Sequence, residues 1–156
     1  MITTRHHTPA DAAALVPLFQ EMQRHYDVPC PPEATILRDL AKLPEGVGML
    51  VAETDQIVGF GAFGAIYPGP HLKPGLFLKE LFVAESARGL GAGRALMRAL
   101  AAHAVERGYG RIDWTADRDD LRLLGFYDGL GAVRQEAKLF YRLSGVELAG
   151  LAERDD

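Results

Sequence analysis

Three glycines and two arginines lie together just after an apolar stretch, in the run RGLGAGR at residues 88–94. Glycine has no Cβ atom, so the chain can turn tightly here and bring successive backbone N–H groups close to an anion. An amphipathic helical pattern follows and ends at Gly108. The free N–H groups and the dipole at the start of that helix favour negative charge. The spacing therefore predicts a phosphate-binding turn.

Neither of the two standard nucleotide-binding turns has this spacing. A dinucleotide-binding turn reads G-x-G-x-x-G, and counting from Gly89 the third glycine position is occupied by Arg94. A P-loop needs a Gly-Lys pair, which the sequence does not contain. A turn with only a structural role is the remaining alternative, but it leaves Arg88 and Arg94 on either side of the glycines without a role. The pattern favours phosphate binding of another kind.

The glycine turn belongs to the first of two motifs that together resemble the motifs of one protein family. The strand end Leu81–Val83 (LFV) followed by R-x-x-G-x-G at Arg88–Gly93 resembles motif A of the GNAT N-acetyltransferase superfamily. Phe126–Ala132 (FYDGLGA) resembles the family's motif B, F-Y-x-x-L-G-A. The resemblance implies an α/β (α+β) GNAT fold, with a mixed, twisted sheet of roughly six to seven strands flanked by about four helices. It also implies acetyl-CoA as cosubstrate and no metal.

The resemblance assigns cofactor contacts residue by residue. Strand groups at Leu81, Phe82 and Val83 would hydrogen-bond the pantetheine arm, and an N–H there would polarise the thioester carbonyl. The pyrophosphate would be held by Arg88, Gly89, Leu90, Gly91, Ala92, Gly93 and Arg94. Six residues before the phenylalanine of motif B, the family often has an asparagine that contacts the cofactor, whereas this sequence has Asp120. Either Asp119 or Asp120 is therefore expected to point elsewhere, or the contact is lost.

Two residues are candidates for proton transfer. Tyr127 occupies the tyrosine position of motif B, and a phenol with an ordinary pKa of about 10 can donate a proton to a leaving thiolate at neutral pH. The alternative is an aromatic ring that only fills space. Glu80 lies on the predicted cofactor strand and could accept the proton of the amine through a water molecule. Equally, it could form an ordinary surface ion pair with Lys79.

The acceptor is predicted mainly from charge. The first helices of the GNAT fold line the substrate groove, and here they carry Glu21, His25, Tyr26 and Asp27, while Asp113, Asp117 and Asp119 lie near the fifth strand. Negative groups attract a cationic amine, which favours a small primary amine. The segment LFLKELFV also resembles the corresponding segment of diamine acetyltransferases. The alternatives are a protein N-terminus or lysine as acceptor, and a non-catalytic sensor that only binds acetyl-CoA.

Length, composition and net charge limit the kinds of protein and partner that this sequence predicts. A chain of 156 residues with 48% hydrophobic residues is expected to form one GNAT domain over 1–156. The net charge of −4 does not favour nucleic acid as a partner. No signal peptide or membrane-spanning run is recognisable, so a cytoplasmic location and no membrane partner are expected. No metal-ligand spacing is visible. A second copy of the chain is kept as a candidate partner.

Hydrophobic periodicity and turn residues place these motifs on secondary-structure elements. We expect a helix that begins at Pro9 and is kinked or divided at Pro17, because proline removes one internal hydrogen bond. The strand before the glycine turn and the strand at Gly110–Thr115 should be parallel, since a helix connects them. The other predicted elements are a strand at Ile2–His6, a helix at Glu33–Leu43, a hairpin of Gly48–Glu53 and Gln56–Ile66, a helix from Leu121 to Leu130, a last strand at Arg134–Leu143, and a helix or coil from Glu147.

Overall fold

The first 115 residues contain a mixed sheet of five strands, in which apolar residues alternate along the chain. The computed structural model describes residues 1–154, and the chain divides into two compact units, Met1–Thr115 and Ala116–Asp156. The elements are β1 (Thr3–His6), α1 (Ala12–His25), α2 (Glu33–Ala41), β2 (Val47–Glu53), β3 (Ile57–Ile66), β4 (Gly75–Val83), α3 (Ala92–Glu106), β5 (Ile112–Asp113), α4 (Leu121–Asp128) and α5 (Gly145–Ala152). Short 3₁₀ turns lie at Pro9–Asp11, Pro70–Leu72 and Glu85–Ala87.

The sheet has the simple order β1-β2-β3-β4-β5. The first four strands are antiparallel: short connections join β2 to β3 and β3 to β4, whereas α1 and α2 lie between β1 and β2 in the chain. β4 and β5 are parallel and joined through α3. The predicted parallel crossover is therefore confirmed. β5 pairs only with Leu76 and Phe77 at the beginning of β4. From Leu78 onward, β4 is thus in register with β3 alone.

Each face of the sheet is covered by helices. On one face, α1 and α2 bury a core whose members are Ala12, Leu15, Val16, Leu18, Ile36, Leu40, Met49, Val51, Ile57, Phe60 and Phe82. On the other face, α3 packs its buried residues Leu96, Met97 and Leu100 against the sheet. Apolar side chains alternate between the two faces along β2 and β3, as expected for strands buried on both sides.

A β-bulge interrupts the alternation in β4, as another does at Val58 in β3. Phe63 pairs with Leu78 and Ala62 pairs with Glu80, so Lys79 is an extra residue in the strand, a β-bulge. Leu78 before the bulge and Leu81 after it both face α3. Glu80 consequently faces α1 and α2, whereas unbroken alternation would put it on the α3 face with Leu78. The bulge thus decides on which side of the sheet this carboxylate lies.

A charged cluster joins β1 to the beginning of α1. The guanidinium of Arg5 donates to both carboxylate oxygens of Asp11 at 2.8 Å and to both of Glu53 at 3.0 Å. Asp11 is buried and also accepts the backbone N–H of Thr8 at 2.7 Å. These hydrogen bonds hold the pKa of Asp11 well below its usual range and raise that of Arg5. The segment that leads into the first helix is therefore held against β1.

Pro17 lies inside α1, which continues without a break to His25. The predicted division into two helical pieces is thus wrong, whereas the alternative of a kink at Pro17 stays a prediction. Proline lacks the N–H that an interior helical position donates, and this costs stability. Leu15, Val16 and Leu18 around it are buried, and their burial offsets that cost. Tertiary packing therefore outweighs the local preference.

As far as residue 154, the second unit contains two helices and, between them, a segment without regular secondary structure. α4 begins with Asp120, whose Oδ1 accepts the N–H of Leu123 at 3.1 Å, and α5 confirms a helix in the tail. Residues 134–143 form no strand, so the predicted last strand is wrong, and the sheet formed by the described residues has five strands instead of six to seven. The predicted strand at Gly110–Thr115 is also shorter, only Ile112–Asp113. Alternation produces an amphipathic strip, but a strand also needs a backbone partner.

Candidate active site

The predicted phosphate-binding turn connects β4 to α3. Gly89 has φ +79° and Gly91, the residue that precedes α3, has φ +92°. Residues other than glycine rarely adopt these values, which explains why glycines occupy both positions. No side chain caps the start of α3, because the preceding residue is Gly91. The N–H groups of the first turn are therefore available to an anion at the positive end of this 15-residue helix. This geometry fits a pyrophosphate such as that of acetyl-CoA.

The side chain of Arg88 links this turn to the end of β4. Its Nε donates to the carbonyl oxygen of Val83 at 3.0 Å, and its guanidinium lies 5.7 Å from the ring centre of Phe82. The side chain thus has a structural partner in addition to the predicted pyrophosphate contact. Arg94 is exposed in the first turn of α3, where a cation can reach an anion held by the helix N-terminus.

The last residues of β4 have the geometry that the pantetheine prediction requires. β5 accompanies β4 only at Leu76 and Phe77, so one edge of Leu81–Val83 is in no ladder among the described residues. An extended amide chain such as pantetheine can hydrogen-bond to such an edge. The side chain of Phe82 is buried in the core. A ligand at this strand end would therefore bind to backbone groups on the free edge.

The β4 bulge brings Glu80 to Tyr26 at the end of α1. The hydroxyl of Tyr26 donates to Oε1 of Glu80 at 2.7 Å. Glu80 is half-buried, and its side chain is held by this bond instead of by the neighbouring Lys79, with which no ion pair occurs among the described residues. The ring of His25 lies between this pair and the core, 5.2 Å from Tyr26 and 6.4 Å from Phe82.

A groove of about 680 Å³ lies at the end of α1, where His25, the residue before Tyr26, contributes to its lining but Tyr26 and Glu80 do not. It is lined by Glu21, Arg24, His25, Glu85, Ser86 and Arg88. Glu21 accepts the backbone N–H of Glu85 at 2.7 Å, so α1 is joined to the 3₁₀ turn that precedes the glycines. The groove therefore lies between the helix predicted to bind the acceptor and the turn predicted to bind the cofactor. Its lining carries both signs of charge.

Other predicted acidic residues have structural partners. Asp113 forms an ion pair with Arg111 at 3.0 Å. Asp120 caps α4, which explains an aspartate at a position where the family often has asparagine, because both are good caps. Its predicted contact with the cofactor stays a prediction. Asp117 and Asp119 lie in the turn before α4.

Tyr127 is the buried residue of α4. It is 9% exposed, and its ring centre lies 5.3 Å from that of Phe126. Both aromatic residues of motif B are thus on one short helix of the second unit. The role of Tyr127 as general acid stays a prediction.

Sequence reasoning did not find the Tyr26–Glu80 hydrogen bond or the bulge. A signal for the bulge was present, because the adjacent charged residues Lys79 and Glu80 interrupt an otherwise apolar strand. Among residues 1–154, no group of three or more His, Cys, Asp or Glu residues could hold a metal ion. In the same part of the chain, no helix is long and apolar enough to cross a membrane.

The profile of the Acetyltransferase (GNAT) family matches residues 13–132, well over half of the chain. The chain belongs to the GNAT family. This confirms the resemblance inferred from the two motifs. The matched range contains the glycine turn, Glu80 and the whole of motif B. Members of the GNAT family use acetyl-CoA as cosubstrate.

Individual relatives agree with this assignment. The GNAT chain is 30% identical over 95 residues to an L-ornithine N5-acetyltransferase of Arabidopsis thaliana, a match that covers 61% of this chain and 42% of that protein. An integron cassette protein from the mobile metagenome of V. cholerae has a similar structure, with a TM-score of 0.89, 32% identity and 98% of each chain covered. A ribosomal-protein-alanine N-acetyltransferase from Brucella melitensis shares the fold, with a TM-score of 0.76 and 21% identity over 92% of this chain and 100% of that one.

Proposed function

We propose that this GNAT protein transfers the acetyl group of acetyl-CoA to a small, cationic primary amine. The observation that carries the proposal is the position of Glu80. The bulge at Lys79 turns this carboxylate toward α1, where Tyr26 holds it on the strand predicted to bind pantetheine. A carboxylate held there attracts an ammonium group and can accept the proton that the amine must lose before it attacks.

The remaining steps use groups of the chain already described. The first-turn N–H groups of α3 and the flanking arginines bind the pyrophosphate, and the free edge of Leu81–Val83 orients the pantetheine arm. Acetyl-CoA supplies an acetyl group activated as a thioester. An N–H of the strand end stabilises negative charge on the carbonyl oxygen, and the hydroxyl of Tyr127 donates a proton to the leaving sulfur.

Three observations support a small acceptor. The groove that Arg24 and His25 help to line has a volume of about 680 Å³, which lies within the range of small-molecule sites. Arg24 in this lining could pair with the carboxylate of an amino acid whose side-chain amine reaches Glu80. The similarity to an ornithine acetyltransferase supports the same class of acceptor. We therefore propose an α-amino acid with a terminal amine, such as ornithine, or a related diamine.

The test is a panel of amines in an assay of thiol release from acetyl-CoA. We expect turnover with basic amino acids or diamines, and little with peptides that present a free N-terminus or a lysine. Turnover with the peptides alone would reverse the assignment of the acceptor. The same panel tests the sensor alternative, which predicts binding of acetyl-CoA without turnover for every amine.

Variants at the pair then test the role of Glu80. Glu80→Gln should lower kcat/KM for the best amine by a factor of about 10² or more if the carboxylate is the base. Tyr26→Phe keeps the ring but removes the donor, so a smaller loss is expected. Tyr67→Phe is the matched control, because Tyr67 is highly exposed and should leave activity unchanged. Wild-type rates for Glu80→Gln would show that water suffices as the base.

A further inference from the structure

Lys79 is the extra residue of the β4 bulge, and it lies on the same face of the sheet as Glu80. Leu78 faces α3, and successive side chains of a strand lie on opposite faces, so Lys79 lies on the face covered by α1 and α2. The bulge sets two residues opposite the single partner Ala62, which packs against the core on that face. Lys79 and Glu80 are therefore neighbours on the face predicted to bind the acceptor.

The side chain of Lys79 is exposed and is not held by an opposite charge. The neighbouring Glu80 accepts the hydroxyl of Tyr26 at 2.7 Å instead, and among residues 1–154 Lys79 forms no ion pair. Its amine is carried on a flexible stem and can therefore sample the space beside Glu80. A primary amine thus lies next to the carboxylate proposed as the base.

Lys79 is also close to the backbone that is proposed to bind the thioester. The pantetheine edge of β4 is Leu81–Val83, which begins two positions after Lys79, and two strand residues span about 6.6 Å. The four-carbon stem of a lysine can bridge such a distance. The other lysines of the chain, at positions 42, 73 and 138, lie outside β4. Position in the fold therefore distinguishes Lys79 from all of them.

We propose that Lys79 is a self-acetylation site, whose amine takes the acetyl group of acetyl-CoA bound to the same chain when no small amine occupies the site. This inference rests on the proposed acetyl transfer at β4. The ammonium loses a proton to Glu80 or to water, and the neutral nitrogen attacks the thioester carbonyl, so that a C–N bond forms and the C–S bond breaks. CoA leaves as the thiol after its sulfur takes up a proton. Lys79 becomes a neutral amide, and no further reactant is needed.

The first test is incubation of the full chain with acetyl-CoA alone, followed by mass spectrometry that quantifies acetylation at each lysine. All four lysines are exposed, so purely chemical acetylation should modify them at similar rates. We expect Lys79 to react roughly tenfold faster or more than Lys42, Lys73 and Lys138, because only its amine is held near the bound thioester. Similar rates at all four lysines, or no acetyl group at Lys79, would overturn the proposal.

Two further measurements test whether the acetyl group comes from cofactor bound to the same chain. At constant, saturating acetyl-CoA, the rate per chain should not change when the protein is diluted, because transfer within one molecule is unimolecular. Excess CoA competes with acetyl-CoA for its site, so it should suppress acetylation at Lys79 and leave the slower reaction at Lys73 unchanged. A rate that falls on dilution, or one that CoA does not affect, would mean that the acetyl group arrives from another chain or from solution. Either result would overturn the proposal.

The amine panel separates this inference from the proposed function. Turnover of a small amine with Lys79 unmodified would overturn self-acetylation alone, whereas acetylation of Lys79 by bound acetyl-CoA without turnover of any amine would overturn the small acceptor alone. Where both occur, the best amine should slow the acetylation of Lys79, since the two acceptors need the same acetyl group. Lys79→Arg should remove the modification, and Lys73→Arg is the matched control that should leave it in place.

Discussion

Tyr26 and Glu80 are separated by 54 positions in the sequence, yet one hydrogen bond joins them. A carboxylate that is held by a hydroxyl loses fewer conformations when an amine binds, since its orientation is already set. Arg88 is also held in place before a ligand binds, because its side chain donates a hydrogen bond to the end of β4 and flanks the phosphate-binding turn. At the scale of single residues, the site is thus organised by side chains that link elements.

Gly91 provides a test of cofactor binding. Gly91→Asp should weaken binding of acetyl-CoA by at least tenfold, because it places a negative charge at the helix N-terminus where the pyrophosphate is predicted to bind. Gly91→Ala separates charge from backbone strain, since φ at this position is +92° and a Cβ meets no atom within 4 Å. We expect Ala to have the smaller effect. Calorimetry with folded variants measures both, and unchanged affinity in Gly91→Asp would refute the assignment.

Tyr127 provides a test of the leaving-group step. Tyr127→Phe should lower kcat by the 10²- to 10⁴-fold typical of lost general acid catalysis, while the affinity for acetyl-CoA changes little. If the ring only fills space, turnover should be nearly intact because the ring is kept. Steady-state rates paired with a binding measurement on the same variant distinguish the two roles. Phe126→Tyr would show whether a hydroxyl at the neighbouring position can substitute.

At the scale of elements, β4 performs the most tasks. Its beginning pairs with both neighbours, its middle contains the bulge that turns Glu80 toward α1, and its end leads into the glycine turn. A bulge bends and twists a strand locally and is common beside active sites. The geometry of the site therefore depends on the backbone at Lys79 more than on the lysine side chain.

Deletion of Lys79 tests this dependence. The register on either side of the bulge would become regular, with Leu78 and Leu81 still facing α3, so the fold should survive. Activity should fall about 10²-fold, because the end of β4 would shift relative to the acceptor groove. Lys79→Ala keeps the extra residue and should retain most activity. Melting temperatures and kcat/KM of both variants check the prediction, and an active deletion variant would contradict it.

At the scale of the whole molecule, two buried titratable residues, Asp11 and His103, make the free energy of unfolding depend on pH. His103 of α3 is 9% exposed, with its ring centre 5.0 Å from that of Phe63 and its Nδ1 3.0 Å from the guanidinium of Arg107. Burial, followed by the charge of Arg107 and by His6, lowers the pKa of His103. Asp11 also has a lowered pKa, through its bonds to Arg5. Acid should therefore weaken the fold in two separate ranges.

The first range is that of His103. Because its pKa is lowered on folding, the unfolded chain binds more protons below about pH 6.5. Stability is therefore fully present above pH 6.5 and falls as the pH drops toward the lowered pKa. Denaturant unfolding between pH 7.5 and 5 should show this decline, and His103→Leu should flatten it. An equally steep decline in His103→Leu would assign the effect to another group.

The second range is that of Asp11. Its contribution is present above pH 4 and is lost as the pH falls below that value, since the unfolded carboxylate is protonated first. Asp11→Asn should lower the free energy of unfolding at pH 7 by roughly 1.5–3 kcal/mol, the cost of losing hydrogen bonds to a charged partner. Asp39→Asn is the control, because the Arg38–Asp39 pair is exposed and should change stability by less than about 0.5 kcal/mol. Chemical unfolding of both variants measures the difference.

Local pattern was sufficient for much of this fold. The glycine turn, the helix after it and the parallel strand beyond were predicted from residues within about thirty positions of one another, and the structure confirms that unit. The GNAT family was likewise recognised from two short motifs. Glycine spacing and helical periodicity are properties of the chain itself, so they can be interpreted before it folds.

Tertiary structure decided the features that need a partner distant in the sequence. The bulge at Lys79 depends on register with β3, and the orientation of Glu80 depends on Tyr26. Residues 134–143 have a strand pattern but form no strand, because alternation specifies two faces and not a backbone partner. The sequence by itself determined which residues could do chemistry and on which elements they lie. Packing between distant segments decided which of them meet.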